Sequence, residues 1–543
     1  MKKLLPFLLL LAACSKHPEA DQIVHGKIWT SNPKQPWAEA MAITDDSIVA
    51  IGSKNEVDVW KGDKTADISV PDGQLIVPGL IDTHTHFLEA GFGLSSVQLR
   101  DAMSKEEFIK RIKEFAAGMK PGMWMLGGNW DHQNWGGELP DRKWVDEFTK
   151  DIPIALMRTD GHMLFVNSAA MKAAGITDNT KDVPGGEMVR DKNRRLTGVL
   201  KDNANDLVWQ KVPAASAESE DKALEAAMDY AAAHGVTSIH SMYGGNAAFD
   251  RAHASGKLRT RIYMGWMIND WRKVKRRVDS IGHGDKWLRW GALKMFMDGA
   301  LGSHTAAFFK PFVDTPKDSG FFLNPEDWMY RQIKSADSAG LHLMIHAIGD
   351  KAIFTLLNMF EKAGNENGPR DRRFRIEHLQ HIAPSDIPRL APLNVIASMQ
   401  PYHAIDDGRW AEKYLGPERI KTTYAFKSLL DANAKVAFGS DWPVAPADPM
   451  MGIYAAVTRR TLDDKFPDGW VPEQKITVEQ ALTAYTITGA YASFEEGIKG
   501  SLEPGKLADF VVLERDITSI DPREIGQVKV VRTVVGGKTV FPH

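Results

Sequence analysis

Short apolar runs recur along this chain, and their spacing separates sheet-rich ends from a middle where strand and helix alternate. Residues 22–30 (interrupted by Gly26), 40–43 and 47–52 are strand-like runs divided by turn residues, the pattern of a small antiparallel sheet. Residues 508–513, 528–531 and 533–536 repeat that texture at the other end. Two strand-rich ends around a different middle predict one discontinuous β-sandwich domain, residues 22–78 with 497–543.

Between them, strand-like and helix-like stretches alternate, which predicts a parallel α/β fold. Apolar runs fall at 75–81, 236–240, 261–264, 293–296, 343–346, 374–378, 395–399 and 436–441. That is the number a (β/α)8 TIM-like barrel needs, expected over residues 79–88 with 216–496. About 150 residues separate the first run from the second, far more than a barrel connection requires. Residues 89–215 are therefore expected to be an insertion after the first barrel strand. It would emerge on the C-terminal face as a lid or specificity subdomain.

Several runs end in residues that bind metal. His84 and His86 are two apart, so on a strand both face one side. Such a pair also occurs by chance, and alone it decides little. His346, His378 and Asp441 each end a separate run, however, and a barrel gathers separate strand ends at one face. Imidazole and carboxylate suit zinc and similar divalent ions. Lys294, near the end of its run, has two readings. It is either a buried ammonium paired with Asp298, or a neutral amine whose carbamate with carbon dioxide bridges two cations.

Residues 77–86, Val-Pro-Gly-Leu-Ile-Asp-Thr-His-Thr-His, resemble the opening metal motif of the amidohydrolase superfamily. Asp160-Gly161-His162, Gly198-Val199-Leu200, the stretch 294–305, His346-Ala347-Ile348-Gly349-Asp350, Glu377-His378-Leu379-Gln380-His381 and Gly439-Ser440-Asp441-Trp442-Pro443-Val444 resemble its amidohydrolase 3 branch. That branch includes N-substituted formamide deformylase-like enzymes. The tail 500–510 resembles the return into the flanking domain, so the matches run in order along almost the whole mature chain.

The resemblance implies that His84 and His86 bind one ion and His346 and His378 a second, with Lys294 as bridging carbamate if modified. It implies that Asp441 contacts metal and is the general base, while water of lowered pKa supplies hydroxide. Attack on a polarised carbonyl would then cleave a C–N bond other than a peptide bond. Related branches differ between one and two ions, with zinc the expected metal. A binding lipoprotein that has lost catalysis is a second reading, and an esterase, deaminase or isomerase on the same site a third.

Other residues carry two readings each. Trp130 lines a substrate pocket or packs in a core; Asp160 and His162 reach substrate or organise a turn. His304 stands where many relatives carry Arg, and contact with substrate there would alter preference. His240 ends the second run, and His381 and His403 fall near the expected mouth.

The formal charge of -3 and pI of about 6.6 give no basic field for nucleic acid; the partner that the resemblance implies is a small-molecule amide. Oligomeric state is left open. Lys2 and Lys3 precede an apolar run, 4–11, too short to span a bilayer, which predicts a secretory signal. Leu11-Ala12-Ala13-Cys14 resembles a bacterial lipobox, giving residues 1–14 as signal and lipobox and 15–21 as a tether. Lipidation of Cys14 followed by Ser15 implies an outer-membrane lipoprotein facing the periplasm, touching membrane only through its anchor. Cys14 is the only cysteine, which excludes an intramolecular disulfide and a thiolate metal site.

Overall fold

Eight parallel strands follow in chain order: β1 (Leu80–Thr85), β2 (Val236–Ser241), β3 (Arg261–Met267), β4 (Leu288–Phe296), β5 (His342–Ala347), β6 (Arg375–His378), β7 (Ile396–Met399) and β8 (Lys435–Phe438). The structure is a computed structural model that describes residues 19–542. Each strand pairs with the next, and backbone bonds close the ring. Asp441 N donates to His84 O at 2.7 Å, and His86 N to Trp442 O at 2.8 Å. The buried Asp82 reinforces this seam, accepting Ser440 Oγ at 2.5 Å and Ser440 N at 2.8 Å. Burial pushes the Asp82 carboxyl up to about 7, against the pull of those donors. The architecture is the (β/α)8 barrel.

Barrel strands read as near-continuous apolar runs because helices cover the outside and side chains fill the inside. The helix Asp350–Asn367 shows the matching periodicity, burying Ile353, Leu356, Leu357 and Phe360 at three- and four-residue spacing. Inside the barrel the pattern breaks, because Lys294, Arg375, Glu377 and His240 are all fully buried there. Each needs a partner.

The flanking domain is an eight-stranded sheet made from both ends of the described chain. Gln22–Trp29 is its hinge of pairing. Its first half runs parallel to Ala66–Ser69, and after an irregularity between His25 and Ile28 it meets Leu75–Pro78. Val24, Ile28, Ile43, Ile76, Phe510 and Val512 belong to its core. The run 75–81, expected as one strand, is two. Leu75–Pro78 pairs antiparallel with Phe510–Leu513 in this sheet, whereas β1 begins at Leu80. Gly79 makes the switch, where a Cβ would come within 2.2 Å of Thr237 Oγ1. Cys14, the signal run and most of the tether lie outside the described residues. Among the described residues no helix is long and apolar enough to cross a membrane.

The segment after β1 carries its own six-stranded sheet, between Val97 and Asp202, around a core that includes Phe108, Trp130, Leu156 and Phe165. Polar contacts hold it against the loops that follow the barrel strands. Asp160 accepts Ser303 Oγ at 2.6 Å, and Thr159 Oγ1 donates to Val444 O at 3.1 Å. Asp160 also pairs with the buried Arg158 at 2.5 Å, and Arg158 reaches Asp131 at 2.6 Å.

Burial acts to raise the Asp160 pKa, but Arg158 and His162 outweigh it and hold the carboxyl at about 2. Because the folded pKa lies below the unfolded one, this clasp contributes its full stability above about pH 4. The contribution falls away as pH drops through 2. Asp160→Ala is expected to cost about 1–3 kcal/mol, because the buried Arg158 keeps Asp131 but loses the second of its two carboxylates, and to make the insertion cleave first in limited proteolysis. An unchanged cleavage pattern would show that the clasp does not hold the insertion.

Candidate metal centre

The predicted ligands converge at the C-terminal mouth of the barrel. One nitrogen each of His84 and His378 and one oxygen of Asp441 lie within 4.8 Å of one another, all three residues buried. His86 joins through Asp441, its Nε2 3.3 Å from Oδ1. Lys294 joins through His84, with Nζ 3.4 Å from Nε2. The His346 ring centroid lies 4.5 Å from that of His378.

Local backbone makes this convergence possible. Glu377 and His378 are consecutive, so a regular strand would send them to opposite faces. His378 and Leu379 instead take φ of 72° and 46°, and Asp441 takes φ of 63°. These left-handed conformations are uncommon for non-glycine residues and cost on the order of 1–3 kcal/mol each. The turn at His378 lets both side chains serve the site.

Burial disfavours the charged imidazoles, and hydrogen bonds orient them. Burial holds His84, His346 and His378 well below the usual histidine value, helped by Lys294 at His84, by His162 at His346 and by His346 at His378. A neutral ring donates through one nitrogen and offers a lone pair at the other. His84 donates Nδ1–H to Glu377 Oε2 at 2.6 Å, and His378 donates Nδ1–H to Gln400 Oε1 at 2.9 Å. Both therefore present Nε2 as a lone pair. His346 is turned the other way, donating Nε2–H to Gly299 O at 3.0 Å.

Asp441 is held below the usual carboxylate range: burial opposes this, but His84 and His86 prevail. Its Oδ1 and the Nδ1 of His86 are buried without a hydrogen-bond partner. Oδ1 stands 3.4 Å from His84 Nε2, an acceptor facing a lone pair. A cation between them would reconcile that pair, so the donor set fits a divalent ion.

Lys294 is fully buried, and among the described residues no carboxylate pairs with it. Burial brings its amine down to about 8, although Glu377 and Asp441 pull upward. The alternative pairing with Asp298 does not form. Asp298 accepts instead from the amides of Ala307, Ile348 and Gly349, at 2.8, 3.0 and 2.9 Å.

The residues considered for substrate contact separate. His162 approaches the centre from the insertion, its ring 5.2 Å from that of His346 and its Nδ1 2.6 Å from Asp202 Oδ1. Asp202 overcomes the opposing effect of burial and raises the His162 pKa. Asp160 is taken up by the clasp, as a turn former and ion-pair partner. Trp130 lies inside the insertion core, its indole donating to Leu156 O at 2.8 Å. His304 bonds Asp314 at 3.1 Å and packs on Phe312 and Tyr414, outside the ligand group. His403 is buried parallel to His378, 6.5 Å between centroids, with Nε2 unpartnered. His381 bonds Thr423 Oγ1 at 3.0 Å, and His240 lies within the barrel beside Arg375.

Sequence reasoning missed Glu377, Arg375, Gln400 and Asp202, which orient His84, His378 and His162. It also missed Tyr243, whose ring meets that of His86 edge-on at 5.0 Å.

The profile of the Amidohydrolase family matches residues 72–541. "Protein LONG AFTER FAR-RED 3" of Arabidopsis thaliana is 38% identical over 96% of this chain and 91% of its own. "N-substituted formamide deformylase" of Arthrobacter pascens is 28% identical over 95% of this chain and 97% of its own. A crystal structure of an uncharacterized metal-dependent hydrolase from Pyrococcus horikoshii superposes with a TM-score of 0.74 at 28% identity, covering 92% of this chain and 99% of that one.

Proposed function

Since the chain belongs to the amidohydrolase family, we propose that it hydrolyses a non-peptide C–N bond, an amide or formamide, in a small molecule. The observation that carries this reading is the buried group of His84, His378 and Asp441 at the barrel mouth, with His86 and Lys294 within 3.4 Å of its members. The deformylase relative favours an N-substituted formamide among C–N substrates.

When bound there, a divalent ion, zinc by preference, would supply a coordinated water of lowered pKa and a Lewis acid for a carbonyl. The chain's own residues do the rest. His84, His86, His346, His378 and Asp441 would hold it, as one ion or two. Asp441, kept ionised by His84 and His86, takes the proton from the attacking water and returns it to the leaving nitrogen. His162, held by Asp202 against the mouth, faces substrate.

An ammonium at Lys294 would compete with a cation for the space beside His84 Nε2. A carbamate formed on the neutral amine turns the same side chain into an oxygen ligand. Native intact mass is expected to show the added carboxylate, and an unmodified lysine in fully active protein would remove this role. Lipidation at Cys14 would tether the chain to the outer membrane from the flanking-domain side, since Ala20 is already bonded to Trp60 there.

A panel of N-formyl, N-acyl and cyclic amides beside matched esters tests the bond assignment. Amine release from one of the amides is the expected result. Turnover of esters alone would overturn the C–N assignment, and deamination or isomerisation products would replace it.

A further inference from the structure

We infer that Glu377, clamped by Arg375, is a positioning residue for the metal centre: it sets the tautomer and basicity of His84 and so tunes metal affinity. This rests on the metal reading of the site.

The geometry singles out this pair. Glu377 Oε2 takes the Nδ1–H of His84 at 2.6 Å, a charge-assisted bond between side chains that are both 0% exposed. A carboxylate there fixes the hydrogen on Nδ1, leaves Nε2 for the ion, and makes that nitrogen a better donor. A buried carboxylate needs a counter-charge, and Arg375 supplies it. Its Nε lies 2.7 Å from Glu377 Oε1, an ion pair not aligned as a hydrogen bond, and Nη2 donates to Oε2 at 3.1 Å.

Arg375 is itself over-determined. Nη2 also donates to Thr83 O at 2.5 Å and Ser398 Oγ at 2.9 Å, and Nη1 to His240 Nδ1 at 2.8 Å. One guanidinium thus fastens β6 to groups on β1, β2 and β7. The Glu377 carboxylate sits in a rigid frame and cannot follow the His84 ring if it turns. A lysine would give one point charge in place of this planar fork.

Metal affinity gives the test without any substrate. The apo-protein is titrated with zinc against a chromogenic chelator, for the native chain, Glu377→Gln, His84→Asn and the double variant. Glu377→Gln is expected to stay folded by circular dichroism and to bind zinc about 10- to 100-fold more weakly. Because Glu377 acts through His84, the double variant should bind no more weakly than His84→Asn alone. Equal affinity of Glu377→Gln and native protein, or additive losses in the double variant, would overturn the inference. If Glu377→Gln fails to fold, Glu377→Asp keeps the charge for Arg375 but falls short of His84. It should show the same weakening, and native affinity there would be equally fatal. A native chain that binds no divalent ion contradicts the metal reading instead, so the two failures are distinct.

Discussion

Asp441→Asn is expected to reduce kcat by about 10²- to 10⁴-fold while the protein still binds metal, the range for removing a general base. Asparagine keeps an oxygen near His84 and His86 but cannot accept a proton from water. Asp441 is also buried, with an unpartnered Oδ1 aimed at the ligand group, so no solvent base can replace it. Steady-state kinetics on whichever amide is turned over, with metal content measured on the same sample, separates loss of base from loss of ion. A variant that retains its metal and most of its turnover would remove Asp441 from the chemistry.

The second large effect concerns stability. Arg375→Met should destabilise the barrel by about 3–5 kcal/mol, because it leaves Glu377 as an uncompensated buried charge. The size follows from burial: both side chains are 0% exposed, and the pair lies where water cannot take over the lost contacts. Arg375→Met with Glu377→Met should recover much of that loss, since two apolar groups leave no orphan charge. Urea midpoints of the two variants and the native chain provide the comparison. A double variant less stable than Arg375→Met alone would contradict the buried-pair account.

What sequence could and could not reveal follows from the range of each signal. The convergence of His84, His346, His378 and Asp441 was legible because each ends an apolar run, and a barrel gathers separate strand ends at one face. The barrel was legible for the same reason. The long gap after β1 disclosed an insertion, and its sheet is contiguous in sequence from Val97 to Asp202.

Arg375 and Glu377 were not legible. Their alternation with Ile376 matches a strand with one solvated face, yet all three residues are fully buried. Their partners, Thr83, His84, His240 and Ser398, come from three other strands, and no local pattern encodes such cross-barrel pairing. The left-handed turn at His378 was equally hidden, because even the residue types enriched there, histidine among them, take positive φ in only a small minority of cases. Trp130 shows the reverse case. Aromatic residues beside a proposed pocket fit either lining or packing, and only the fold distinguishes them.

Asp160 and His162 are neighbours in one motif but work differently. The first ties the insertion to Ser303, and the second extends from it to His346. The same short segment thus fixes the position of the insertion and supplies a group at the mouth.

In the proposed function, divalent metal held by the His84, His378 and Asp441 group drives hydrolysis of a C–N bond. Amine release from an N-substituted formamide, measured before and after chelator stripping and again after adding zinc, tests it most directly. Loss of amine release on stripping and its return with zinc is the predicted result. Amine release that survives complete removal of metal would contradict it.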